Sequence, residues 1–161
     1  MAILLAVNVV VSFFYIPVGV NLRIYFTFLI TMMIAANYPL PMALLYAFTE
    51  DLVSFFVYPT GPFFAGYTLT AVLSMAIYWL FLHKKVEWKR VLAAKTSVNI
   101  LVNILLGSLW SYLLYGRGYL YYLGRSLVKN LALIPVEVLL FLFFYKLVQP
   151  LFDKYTRRID G

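Results

Sequence analysis

Ionisable side chains stand inside otherwise apolar runs of this chain. Glu50 and Asp51 lie in one run, and Arg125, Lys129 and Glu137 in another. A charge in hydrocarbon costs at least about 2.5–3.5 kcal/mol on insertion scales, so such residues face a cavity or a partner and mark a functional site. Arginine and lysine can hold carboxylates, arginine in a bidentate fork. Asp51 and the amides Asn99 and Asn103 can read hydrogen-bond donors on a heterocycle. Tyr, Phe and Trp offer stacking faces. An anionic ligand with a flat polar ring would satisfy all three chemistries. The competing reading makes Asp51 and Lys129 an internal ion pair. It leaves Asn99 and Asn103, four residues apart, as ordinary interhelical glue.

The elements that carry these groups belong in a bilayer. The chain has 161 residues, is 65% hydrophobic, and has only 12% charged residues and a mean hydropathy of +0.92. A soluble domain carries about 25% charged residues. The net charge of +7 fits basic cytoplasmic loops rather than a nucleic-acid surface. There is no cysteine and a single histidine, His83. That excludes disulfides, thiolate metal sites, cysteine nucleophiles and multi-histidine metal centres. His83 adjoins Lys84 and Lys85 and reads as interfacial. A Walker A motif, a zinc motif and a Ser–His–Asp arrangement are all missing from the sequence, as is a paired acid and base. The first residues lack the basic start and cleavage site of a signal peptide.

Pro, Gly and charge clusters cut the chain into six apolar runs, predicted as helices over about 2–15, 24–36, 41–57, 65–82, 91–115 and 122–148. Pro150 is expected to end the last, ahead of a solvated tail from Asp153. The first two are short against the ~20 residues that a full span needs. Strands are not expected, because stretches such as 138–145 are apolar on every side while a membrane barrel alternates. The fold class is thus an all-α integral membrane protein. It forms a single six-transmembrane-helix bundle over residues 1–161, multi-pass in the cell membrane. Lys84, Lys85, Lys89 and Arg90 share a side with Lys154, Arg157 and Arg158, which makes that side, and both termini, cytoplasmic.

Along the helices, at ~1.5 Å per residue, Asp51 lies about 9 Å and Lys129 about 10 Å below the outer end. Trp110 is near that end and Arg23 is at the outer surface. These groups cluster in the outer third, where a receptor would capture a solute. Glu50 points ~100° away from Asp51, so Asp51 is the favoured carboxylate. Asn99, Asn103 and Glu137 lie deeper, Glu137 with an expected structural partner. Ala2 and Ala6 form a small-xxx-small pair, repeated by Ala43 and Ala47, that suits docking on another membrane subunit.

Three long stretches carry a family resemblance. They are 58–70 (Tyr-Pro-Thr-Gly-Pro-Phe-Phe-Ala-Gly-Tyr-Thr-Leu-Thr), 99–116 (Asn99 through Trp110 to Gly116) and 124–135 (Gly-Arg-Ser-Leu-Val-Lys-Asn-Leu-Ala-Leu-Ile-Pro). In these the chain resembles the substrate-binding (S) components of energy-coupling factor vitamin transporters, most closely the folate-specific branch. The resemblance implies a folate binder with no catalysis and no cofactor of its own. It would work with a transmembrane coupling protein and two ATP-binding subunits that use the ATP. Arg23, Arg125 and Lys129 are carried over as anion contacts, and Asp51 with Asn99 or Asn103 as pterin readers. Phe63, Thr68 and Trp110 complete the substrate-binding set, and Ala2 and Ala6 match the family's alanine motif for the coupling subunit. The alternatives are an S component for another vitamin, such as cationic thiamine, which the basic cluster opposes, or pantothenate. A small intramembrane lipid enzyme using Glu50 and Asp51 is another, and a ligand-free assembly subunit is the last.

Overall fold

The computed structural model describes residues 2–19, 22–57, 64–83, 85–116 and 118–159, and of 17–19, 22–24, 125 and 155–159 the backbone alone. The helices are α1 (Ala2–Ser12), α2 (Thr27–Asn37), α3 (Leu40–Val57), α4 (Ala65–Leu82), α5 (Trp88–Ser97), α6 (Gly107–Tyr115) and α7 (Tyr119–Ile159). A π-helical stretch, Val98–Leu106, joins α5 to α6 in one rod from Trp88 to Tyr115. Its backbone widens to i→i+5 bonding, seen where Gly107 N–H reaches Val102 O. Such widening is rare and favours functional positions. Gly116 closes α6 at φ +68, with its N–H on Tyr112 O at 3.0 Å, a conformation in which glycine avoids a Cβ clash.

Four helical runs are long and apolar enough to cross a membrane: Leu40–Val57, Ala65–Leu82, Trp88–Tyr115 and Tyr119–Lys154. α1 and α2 have 11 residues each, about 16 Å of helix against ~30 Å of hydrocarbon. Bulky apolar side chains lie open on the outside, among them Phe56 and Leu120 at 79% exposure. Water would not tolerate that surface and lipid does. This is a membrane protein.

The strand expectation is corrected. β1 (Tyr15–Gly19) pairs antiparallel with β2 (Leu22–Tyr25), in register Tyr15↔Tyr25, with an irregularity between Pro17 and Gly19. The segment expected as a loop and helix start is rich in aromatic and β-branched residues, which favour a pleated strand. The Tyr15 and Tyr25 rings face each other at 5.9 Å.

The expected stop at Pro150 is also overturned, because α7 continues through Pro135 and Pro150. Contacts on both sides of Pro150 hold the helix. Asn37 and Gln149 exchange amide hydrogen bonds at 3.2 and 3.0 Å, and Tyr38 meets Phe152 edge-on at 5.8 Å. At the same end Trp79 Nε1 donates to Tyr38 O at 3.1 Å, and His83 stacks on Trp79 at 4.6 Å. The ends of α2, α4 and α7 therefore meet there. α4 sits at the centre of the bundle, packed on α2, α3, α5 and the π-helical stretch. The core beneath it includes Met32, Ile34, Ala43, Met75, Leu82, Val98 and Phe141.

Candidate functional site

α4 gathers the first group of expected site residues. Thr68, buried on α4, donates to Asp51 Oδ2 on α3 at 2.6 Å. Thr70 accepts from Trp110 Nε1 on α6 at 2.9 Å. The Trp110 ring meets Phe64 at 5.3 Å, and Phe64 meets Tyr67 at 5.8 Å. Gly66 allows this approach, since a Cβ there would collide with the Phe64 ring and lie 2.9 Å from the Trp110 ring. Asp51 thus bonds across helices, whereas Glu50 accepts from Ser54 of its own helix at 3.0 Å. The α4 register that buries Thr68 places a carboxylate on one side of the helix and an indole on the other.

A second group runs through the bundle interior. Lys95 Nζ on α5 lies 3.2 Å from Glu137 Oε2 on α7, 3.4 Å from the Tyr78 hydroxyl on α4 and 4.1 Å from the Phe28 ring on α2. Asn99, 1% exposed, donates through Nδ2 to Asn130 O at 3.2 Å and to Glu137 Oε2 at 3.5 Å. Asn103 Nδ2 donates to Asn99 Oδ1 at 2.9 Å. Glu137 has its structural partner in Lys95, a residue the sequence reading passed over. The signal was present: Lys95, Asn99 and Asn103 recur every four residues along one helix, which puts polar groups on one face. Asn99 has both ends of its amide engaged inside the bundle. Asn103 is half-buried.

Among the described residues no ion pair joins Asp51 to Lys129, and the ion pair found is Lys95–Glu137. Lys129 is half-buried, and among the described residues its ammonium has no hydrogen bond or ion pair. Because α7 begins at Tyr119, Lys129 lies about 15 Å along it, deeper than expected. Arg23 lies on β2 opposite Pro17, and Arg125 lies in α7. Their side chains, and all of Phe63, fall outside the described residues. Ala2 and Ala6 are exposed on α1. Ala43 and Ala47 are buried in the core instead, where their small size lets neighbouring helices approach. No group of three or more His, Cys, Asp or Glu that could hold a metal occurs among the described residues.

No family model matches the chain. It is 33% identical over 146 residues to the folate transporter FolT of Leuconostoc mesenteroides subsp. mesenteroides, covering 86% of this chain and 78% of that protein. It is 32% identical over 104 residues to the folate transporter FolT of Clostridium novyi (strain NT), covering 64% of this chain and 60% of that protein. Its structure is similar to a crystal structure of FolT bound with folic acid, with a TM-score of 0.78 and 33% identity over 88% of this chain and 87% of that one.

Proposed function

The chain belongs to the FolT family of folate transporters, and from that premise we propose that it is the folate-binding S component of an energy-coupling factor uptake system. The observation that carries this reading is the likeness, along most of both chains, to a FolT holding folic acid. The relatives are named as transporters, which leaves the intramembrane lipid enzyme without support. The protein captures folate outside the cell and performs no chemistry on it.

Folate has a pterin ring, an aromatic linker and a glutamate tail with two carboxylates. Asp51, steadied by Thr68, and Asn103 read donors on the pterin. Trp110 and Phe63 supply stacking faces. Lys129, whose ammonium has no partner among the described residues, holds a tail carboxylate together with Arg125 and Arg23. An unpaired ammonium at that depth gains most from an incoming anion. Ala2 and Ala6, exposed on α1, form the landing surface for the transmembrane coupling protein, whose two ATP-binding partners spend the ATP. The protein is multi-pass in the cell membrane, with six membrane helices and both termini cytoplasmic. α1 and α2, being short, sit where the bilayer thins.

Mass spectrometry of small molecules released from gently purified protein tests the reading. Folate in near-stoichiometric yield supports it. Protein that carries none, and whose tryptophan fluorescence ignores added folates, rules it out.

A further inference from the structure

The polar series from Lys95 to Asn103 has a direction. Asn99 Nδ2 reaches two groups that can only accept, the Asn130 carbonyl at 3.2 Å and the Glu137 carboxylate at 3.5 Å. Turning the Asn99 amide over would set oxygen against oxygen at both contacts. Its Oδ1 must therefore face Asn103, and Asn103 must answer with Nδ2, at 2.9 Å. The atom left over is Asn103 Oδ1. It has no donor among the described residues, and it is not among their sealed, unpartnered polar atoms. At the other end Lys95, 4% exposed, sets the Glu137 carboxylate from 3.2 Å.

The geometry points to Lys95 and Glu137 as positioning residues that hold Asn103 as an acceptor-only contact. The site then selects a ligand ring bearing an exocyclic amino donor over the same ring without it. This rests on the folate reading above, since the pterin carries an amino group at ring position 2. Lys95 and Glu137 touch no ligand themselves. They act through Asn99, whose amide polarity passes the choice along the helix to Asn103. A buried network in which every member is satisfied holds one arrangement.

The test compares folic acid with an analogue in which hydrogen replaces the ring 2-amino group, using ligand-free purified protein and equilibrium binding. The wild-type protein should prefer folic acid by about 10-fold or more, the scale of one well-placed hydrogen bond. Asn103→Leu should weaken folic acid by about 10-fold while leaving the analogue within about 2-fold. Lys95→Met/Glu137→Met removes the pair without stranding a charge, and should cut the preference by about 3-fold or more. Asn103→Leu alters a half-buried side chain and keeps the question open to refutation should the double variant not fold. If folic acid and the analogue weaken equally in both variants, the network is only structural and the inference is overturned. If the wild-type protein binds no folic acid, the folate reading falls and takes this inference with it.

Discussion

Lys95 and Glu137 are 5% and 13% exposed at their side chains and 3.2 Å apart, so each is acceptable in the bundle only because of the other. Removing one partner of such a pair is far worse than replacing both with apolar groups. Lys95→Met alone should destabilise the protein by about 3–5 kcal/mol, and adding Glu137→Met should restore most of the loss. Thermal unfolding in detergent, followed by tryptophan emission, checks this; a double variant no more stable than the single one contradicts it. Lys129 presents the opposite case, an ammonium with no partner among the described residues. Lys129→Ala and Arg125→Ala should each weaken intact folate by about 10-fold. A pterin lacking the glutamate should lose much less. Equal losses for the two ligands, measured by competition, would move the tail elsewhere.

At the scale of elements, α4 decides what can meet. Thr68 and Thr70 hold Asp51 of α3 and Trp110 of α6, and Gly66 keeps the approach of Phe64 and Trp110 open. Gly66→Val should push those rings away, cost about 1–3 kcal/mol in overpacking and shift Trp110 emission to the red. Unchanged stability and emission would show that the neighbours yield freely. The rod from Trp88 to Tyr115 owes its regular ends to apolar periodicity. Its widened middle, Val98–Leu106, contains both Asn99 and Asn103, and a hydropathy pattern carries no mark of such a local change in winding. The hairpin of β1 and β2 escaped expectation for a related reason: its two short strands mix aromatic and β-branched residues with Pro17 and Gly19, a composition that suits loop and strand alike, and pairing settles it.

Across the whole molecule, the exposed apolar surface of the long helices demands lipid, and the proposed direction of insertion follows from the basic clusters. The chain has no cysteine, so single reporters carry no background. On the proposed topology, with both termini cytoplasmic, a cysteine at Lys89 should resist a membrane-impermeant maleimide in intact cells and react after permeabilisation. One at Gly118 should react in both. The reverse pattern inverts the topology. Sequence by itself determined the membrane location, the extents of α3 and α4 and the family. Each of these rests on composition, hydropathy or motif, properties carried locally along the chain. Only the tertiary structure decided that Glu137 meets Lys95, that Ala43 and Ala47 fill the core, that α7 runs on through Pro150, and which way the Asn99 amide points. Those outcomes depend on which helix faces meet, and residues far apart in the chain become neighbours only when the bundle closes.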